Sequence, residues 1–340
     1  MSEFEADRIY LDTASMGLAP RRTLEALQRE LDTWRRGKVR PQDFDHHVAR
    51  ARTLYAGLVG VDPGWVATGP QASVYAGLVA ASLPADAVVL VAANEFTSIT
   101  FPFLARGLTV REVPLAELAD AVSDDVTLVS VAAVQSADGA LADLSAVESA
   151  CRAHGVRTLV DFTQAAGWLP VDASRYDYTL CSAYKWLLSP RGTCFFTVRP
   201  ERWDEVVPLH AGWYAGADPW TSIYGTPLRL AEDARRFDVS PAWHSMVGTA
   251  SSLELLTEIG RDELHRHSAG LADAFCDAVG LPAQGSAIVS VATNGDLTAV
   301  LEEHGIAASV RAGRLRLAFH VCNSTNDVAM VAAAVGPHLA

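Results

Sequence analysis

Four signatures that commonly mark nucleotide and hydrolase chemistry are missing from this 340-residue chain. No G-x-G-x-x-G, G-x-x-x-x-G-K-[ST], H-E-x-x-H or G-x-S-x-G occurs, so nicotinamide, P-loop, zincin and α/β-hydrolase readings lose their support. Basic side chains are few: 27 Lys and Arg stand against 40 Asp and Glu, a formal net charge of −13. Nucleic acid and anionic bilayers both require a basic surface, so neither is expected as the main partner, and a small molecule is. No apolar run approaches the roughly 20 residues of a membrane span. The start MSEFEADR lacks the basic region and apolar core of a signal peptide, which points to a cytoplasmic protein. Cys151, Cys181, Cys194, Cys276 and Cys322 are odd in number, widely spaced and without a C-x-x-C pair, so neither a disulfide framework nor a zinc site is indicated. His46-His47 and His265-Arg-His267 lack the carboxylate or cysteine company of a metal site, and no metal is expected.

What is present is an ordinary globular composition, half apolar and one-fifth charged. The length suits about two domains at roughly 150 residues each. Between residues 60 and 200, helix-length stretches alternate with the apolar runs AVVLVAA (87–93), VTLVSVAAV (126–134), RTLVDF (157–162), YTLCS (178–182) and TCFFTV (193–198). Runs of this kind, apolar on both faces, describe an α/β domain around a largely parallel sheet, with its ligand at the carboxyl ends of the strands. After Pro241 the pattern becomes two helices to about Val279, strands over 287–293 and 314–320, and a last helix from Asn326. The expected organisation is an N-terminal segment 1–22, a large domain 23–240 and a small α+β domain 241–340, with a cleft between the latter two.

The segment 160–196 is the richest in chemistry. Asp161 ends a strand-like run, Gln164 follows three residues on, and Lys185 comes after the next run with Ser182 before it and Pro190-Arg191-Gly192 after it. Taken alone, a lysine there is more often structural or exposed. A strand-end aspartate followed about two dozen residues later by a lysine is, however, what pyridoxal phosphate chemistry requires. The lysine forms an imine, and the carboxylate keeps the pyridine nitrogen protonated.

From YLDTASMGLAP (10–20) to RLRLAFHVCNSTNDV (314–328), the chain resembles the class V aminotransferase and cysteine desulfurase group of fold-type I pyridoxal phosphate enzymes. This group includes isopenicillin N epimerase-like, kynureninase-like and ergothioneine C–S lyase-like members. The resemblance implies a mostly parallel seven-stranded sheet and a homodimer with active sites at the interface. It implies Lys185 as the Schiff-base lysine, Asp161 as partner of the pyridine nitrogen and Gln164 as donor to the ring's phenolic oxygen. In Ser182-Ala183-Tyr184-Lys185 the serine and tyrosine would contact phosphate, with Tyr184 where histidine is commoner. ATGPQASVYAGLVAA (67–81) matches the segment where phosphate sits on a helix N-terminus, which places Gln71, Ala72 and Ser73 there. Phe96 in NEFTSITFPF would stack on the ring without transferring protons. Gln135 and Ser136 in VQSADG would lie on its substrate side. Arg316 would clamp the substrate carboxylate, with Arg314 on the same strand face as the competing choice. Ser240 in RRFDVSPAW would reach the partner subunit's phosphate, and HAGWYAGADPW (210–220) resembles the family's Gly-Trp loop.

These residues imply an amino-acid substrate held as an external aldimine, with loss of its Cα proton. The turn KWLLSPRG (185–192), shared with the epimerase-like and ergothioneine-lyase-like members, points to a β-eliminating C–S lyase. Class V aminotransferase and racemase activities are the alternatives, and a non-catalytic binding protein is the alternative class. Kynureninase is disfavoured, because its characteristic histidine is replaced by Gln164. Desulfurases need a nucleophilic cysteine before the arginine strand; HGIAASVRAGRLRL (304–317) has none and Cys322 follows Arg316, so persulfide-forming desulfurase activity is not expected.

Overall fold

Residues 9–12 pair with the last hundred residues of the chain. In the computed structural model, which describes residues 3–340, strand β1 (Ile9–Tyr10) is followed by helices α1 (Arg21–Arg35) and α2 (Asp45–Val59). The alternating part then runs β2 (Val66–Gly69), α3 (Ala72–Ser82), β3 (Val88–Ala92), α4 (Phe101–Ala105), β4 (Thr109–Val113), β5 (Leu128–Ala132), α5 (Leu144–His154), β6 (Arg157–Asp161), β7 (Tyr178–Ser182) and β8 (Cys194–Val198). After these come α6 (Trp243–Ile259), α7 (Arg261–Ala278), β9 (Ile288–Val291), α8 (Thr298–Glu303), β10 (Ile306–Ala307), β11 (Ser309–Arg311), β12 (Arg314–Ala318) and α9 (Thr325–Val335).

Strands β2 to β8 form one sheet in the order β2-β8-β7-β6-β5-β3-β4, in which only β8 runs against the rest. Their side chains alternate between two cores. Leu90, Val129, Val131 and Val160 pack with α2, α5 and α6, while Val89, Val91, Leu128 and Leu159 pack with α3 and Phe103 of α4. Burial on both faces is why these strands read as continuous β-branched runs rather than alternating ones. Two of the seven lie outside the expected runs. β4 is an edge strand with Thr109 and Glu112 exposed, and β2 has only four residues, so neither shows a long apolar signature.

The three-stranded antiparallel sheet β11-β12-β9 carries Leu315 and Leu317 into a third core with Phe275 of α7 and Val331 of α9. β1 pairs in parallel with β10, and Leu11 accepts a backbone hydrogen bond from Ala318. Among the described residues no helix is long and apolar enough to cross a membrane.

The ends of β2, β3, β5, β6 and β7 line up along one edge of the large sheet. The end of β2 is fixed by a buried ion pair: Asp238 takes hydrogen bonds from Arg52 at 2.7 Å and from the Thr68 backbone N–H at 2.7 Å. Arg52 also donates to the Val66 carbonyl, so α2, β2 and the segment before α6 meet at one charge pair. Removing one partner of a buried pair strands the other charge without compensation. Asp238→Ala should therefore lower stability by about 3–5 kcal/mol in equilibrium urea unfolding, and a loss under 1 kcal/mol would show the pair to be dispensable.

Candidate active site

Each strand end contributes one part of the site. Asp161 is the last residue of β6 and Ser182 the last of β7; Ser136 follows β5, Phe96 follows β3, and Gln71 caps α3 after β2. These residues, with Ala72, Ser73, Gln164, Tyr184 and Lys185, line a single cavity at the carboxyl edge, where an open α/β sheet places its ligand.

Lys185 lies in the loop between β7 and β8 and is only 5 % exposed. The loop backbone is clamped from three directions. Gly17 N–H donates to the Tyr184 carbonyl at 2.8 Å, Leu188 N–H to the Lys185 carbonyl at 3.0 Å, and buried His320 lies with Nε2 3.0 Å from the Trp186 carbonyl. Contact with a carbonyl oxygen makes Nε2 the protonated nitrogen of His320, and burial lowers that ring's pKa to about 3, keeping it neutral. Two positions tolerate only glycine: a Cβ on Gly17 would stand 2.2 Å from the Lys185 carbonyl oxygen, and one on Gly167, at φ +112°, 2.4 Å from that of Trp186.

Burial lowers the Lys185 pKa to about 8; the Asp161 carboxylate opposes this, and Arg316 and Arg311 add to it. Burial likewise pushes the Asp161 carboxyl up, against hydrogen bonds from Thr163 and the Lys185 charge. Lys185 Nζ lies 5.2 Å from the centroid of the Phe96 ring, which is 45 % exposed toward the cavity. Phe96 is held by Glu95, whose carboxylate accepts from the backbone N–H groups of Phe96 and Ala132 and from the Gln135 side chain. Gln135 therefore braces that loop and does not line the cavity.

A chain of hydrogen bonds links the lysine loop to the small sheet. Trp186 Nε1 donates to Gln164 Oε1 at 2.8 Å, and because an indole only donates, this fixes which end of the amide is oxygen. Gln164 Nε2 donates to the Ala14 carbonyl and to Ser136 Oγ, so the donor role expected of it requires exchange of one of these bonds. Arg316, 1 % exposed, donates to the Ser136 carbonyl at 2.5 Å and to Ser15 Oγ at 2.7 Å. Arg314 instead bonds Ser290, whereas Arg316 bonds Ser136, which lines the cavity, and this favours Arg316 of the two. Ser240 is exposed on the loop before α6 and does not line its own chain's cavity.

Arg191 also lines the cavity and was not singled out from sequence. Its guanidinium carbon stands 4.9 Å from the Tyr184 ring centroid, and among the described residues it pairs with no carboxylate. The Pro190-Arg191-Gly192 turn brings it back beside Tyr184. A compositional signal was also available: the chain contains only two lysines, Lys38 and Lys185.

The residues fit a phosphorylated pyridine aldehyde. Helix α3 begins with no side-chain cap, leaving its first N–H groups to an anion beside Ser73, Ser182, Tyr184 and Arg191. Asp161 is a buried carboxylate in need of a cationic partner, as a protonated ring nitrogen would be. The Nε–H of Arg316 is buried without a partner, a vacant donor for a carboxylate.

This constellation is that of enzymes that hold pyridoxal 5′-phosphate and act on amino acids. The family model described as aminotransferase class-V matches residues 9–314, and the chain belongs to that family. It is similar to the kynureninase of Deinococcus radiodurans, 29 % identical over 299 residues, with 81 % of this chain and 72 % of the relative covered. It is similar also to a probable cysteine desulfurase of Aeropyrum pernix, 26 % identical over 292 residues, covering 78 % and 70 %. Among solved structures, the cystine C–S lyase C-DES, in complex with its reaction product cysteine persulfide, superposes with a TM-score of 0.88 at 22 % identity, covering 98 % of each chain. The cysteine desulfurase of Thermococcus onnurineus NA1 superposes at 0.83 and 21 % identity, covering 96 % and 93 %. The fold is therefore the fold-type I architecture, and the cofactor is pyridoxal phosphate.

The exclusion of desulfurase activity is corrected by these comparisons. It rested on one absent thiol in residues 304–317, whereas likeness to cysteine desulfurases extends over most of the chain in sequence and in fold. In C-DES a persulfide is a reaction product of a C–S lyase, so persulfide chemistry on this fold does not separate the two activities.

The lowered pKa of Lys185 has a direct consequence, because an amine attacks an aldehyde only when unprotonated. Reductive methylation of the cofactor-free protein should modify Lys185 with a rate that rises with pH to a midpoint near 8. Peptide masses distinguish it from Lys38, and a midpoint above 10 would contradict the assigned burial.

Proposed function

We propose that the chain is a β-eliminating lyase that cleaves a C–S bond in an amino acid, with Lys185 moving the proton. The observation that carries this reading is the shortage of acids in the cavity. Its titratable lining is Lys185, Asp161, Tyr184 and Arg191. Asp161 is committed to the ring nitrogen, and burial pushes the Tyr184 hydroxyl further up. Phe96 occupies a ring face without a proton to give. A leaving group in such a site must depart as an anion stable near neutral pH, as a thiolate is, its acid having a pKa of about 8.5.

Arg316 holds the α-carboxylate in a two-pronged hydrogen bond and so fixes the Cα–H bond relative to Lys185 Nζ. When bound, pyridoxal phosphate supplies an aldehyde that captures the substrate amine and a ring that takes up the electron pair left at Cα. Lys185 Nζ, unprotonated at modest cost, accepts the Cα proton. Tyr184, Ser182, Ser73, Arg191 and the start of α3 hold the phosphate, and Asp161 holds the ring nitrogen. In the same reading the protein is a homodimer: Phe96, Phe101 and Leu104 are exposed large apolar side chains, and exposed Ser240 is available to reach a second copy's phosphate.

Incubating the holoenzyme with cysteine, cystine and S-alkyl cysteines in deuterium oxide tests the reaction. Pyruvate and ammonia are expected in equal amounts, with one equivalent of sulfide from cysteine, of a persulfide from cystine and of a thiol from S-alkyl cysteines. A keto acid with pyridoxamine phosphate would replace the reading by transamination, and α-deuteration with inversion would replace it by racemisation. Lys185→Ala should lower turnover by about 10³-fold or more and abolish the borohydride-reducible visible band.

A further inference from the structure

The small sheet has a cationic face, tied to the cavity lining where Arg316 bonds Ser136. β11 and β12 form a hairpin with Ser309 opposite Arg316 and Arg311 opposite Arg314, which puts all four side chains on one face. The turn Ala312-Gly313 has φ of +49° and +73°, as in a two-residue primed hairpin. The opposite face, with Leu315 and Leu317, is committed to the core. Three guanidinium groups therefore share one surface. The carboxylate nearest to them is Asp12, 3.6 Å from Arg316, and among the described residues Arg311 and Arg314 pair with none.

Arg314 is occupied by Ser290, but Arg311 is not comparably held. Among the described residues, apart from its own neighbour's carbonyl, its only hydrogen bond goes to Ser15 Oγ at 3.1 Å, the same oxygen to which Arg316 donates at 2.7 Å. One hydroxyl thus bridges two like charges, which stand no farther apart than those two bonds laid end to end. Two adjacent cations, one exposed and one buried with a vacant Nε–H, form a site for two anionic groups rather than one.

We propose that Arg311 is a specificity residue that binds a second acidic group, carried on the substrate's side chain, while Arg316 takes the α-carboxylate. The substrate class is then an amino acid with a distal carboxylate or equivalent acid. The inference rests on the proposed site in assigning the α-carboxylate to Arg316, and it does not depend on which bond is broken. Arg311 also contributes to lowering the Lys185 pKa, which places its charge within electrostatic reach of the reacting amine.

Binding to the holoenzyme, followed by the change in its visible band, tests this without turnover. L-Aspartate and L-glutamate should bind at least tenfold tighter than L-asparagine and L-glutamine. Arg311→Gln should reduce that ratio to about twofold, lowering the affinity for L-aspartate at least fivefold more than that for L-alanine, and Arg311→Lys should restore part of it. Equal affinities for acids and amides in the unaltered enzyme would overturn the inference, as would an absence of response to the acids. An equal loss of alanine and aspartate binding in Arg311→Gln would also overturn it, by showing a general or structural effect. An acid preference with no pyruvate released from S-carboxymethyl-L-cysteine, which carries both the distal acid and the C–S bond, would leave the inference standing and remove the lyase reading.

Discussion

The rest of the site depends on the burial of one amine. Placing Lys185 at the carboxyl edge of the sheet strips its ammonium of water, and Asp161 compensates only in part. The consequence is a side chain that gives up its proton near neutral pH, as a nucleophile or base must. Nothing about the side chain alone keeps it in that place, since an exposed rotamer would restore its hydration. It is held there through its backbone, by the bonds from Gly17 and His320 to the neighbouring carbonyls and by close packing against Gly17 and Gly167.

Electrostatics is divided by position. The chain carries a net −13, yet the cavity and the adjoining sheet face bring together Lys185, Arg191, Arg311 and Arg316 against Asp161 and Asp12. Beyond the roughly 8–10 Å over which salt leaves charges visible, an anionic ligand meets an acidic surface. Attraction begins at the mouth of the cavity, where the cations have few partners of their own. Selectivity among anions is then a matter of contact geometry, with the uncapped start of α3 suited to a phosphate and the planar guanidinium of Arg316 to a carboxylate.

The parts of this arrangement that were legible in sequence are those with a local signature. β3, β5, β6, β7 and β8 stand out because burial on both faces demands apolar runs, whereas β4, exposed along an edge, carries Thr109 and Glu112 and does not. Asp161 and Lys185 are marked by their places after such runs. Arg191 and Arg311 are not, because each is delivered to the site by a turn whose return direction no local pattern encodes. Gln135 and Ser136 are neighbours with opposite fates: Glu95, forty residues earlier, draws the Gln135 amide away, while Ser136 faces the cavity. The absent cysteine in residues 304–317 misled for a related reason, since one loop's composition was set against likeness spread over most of the chain.

The N-terminal segment joins these elements. β1 pairs with β10, and the Asp12 position bridges to Ala318 at the end of β12. Three residues further on, Ser15 receives both Arg311 and Arg316; Ala14 receives Gln164, and Gly17 holds the carbonyl before Lys185. The nine residues 9–17 thus touch β10, the small sheet, Arg316, Gln164 and the lysine loop. The same short stretch of backbone is bonded both to the small sheet and to the lysine loop. In the proposed reading, a substrate carboxylate at Arg316 would meet the reacting amine through the Ser15–Gly17 backbone as well as through charge, which makes this segment part of the proposed site.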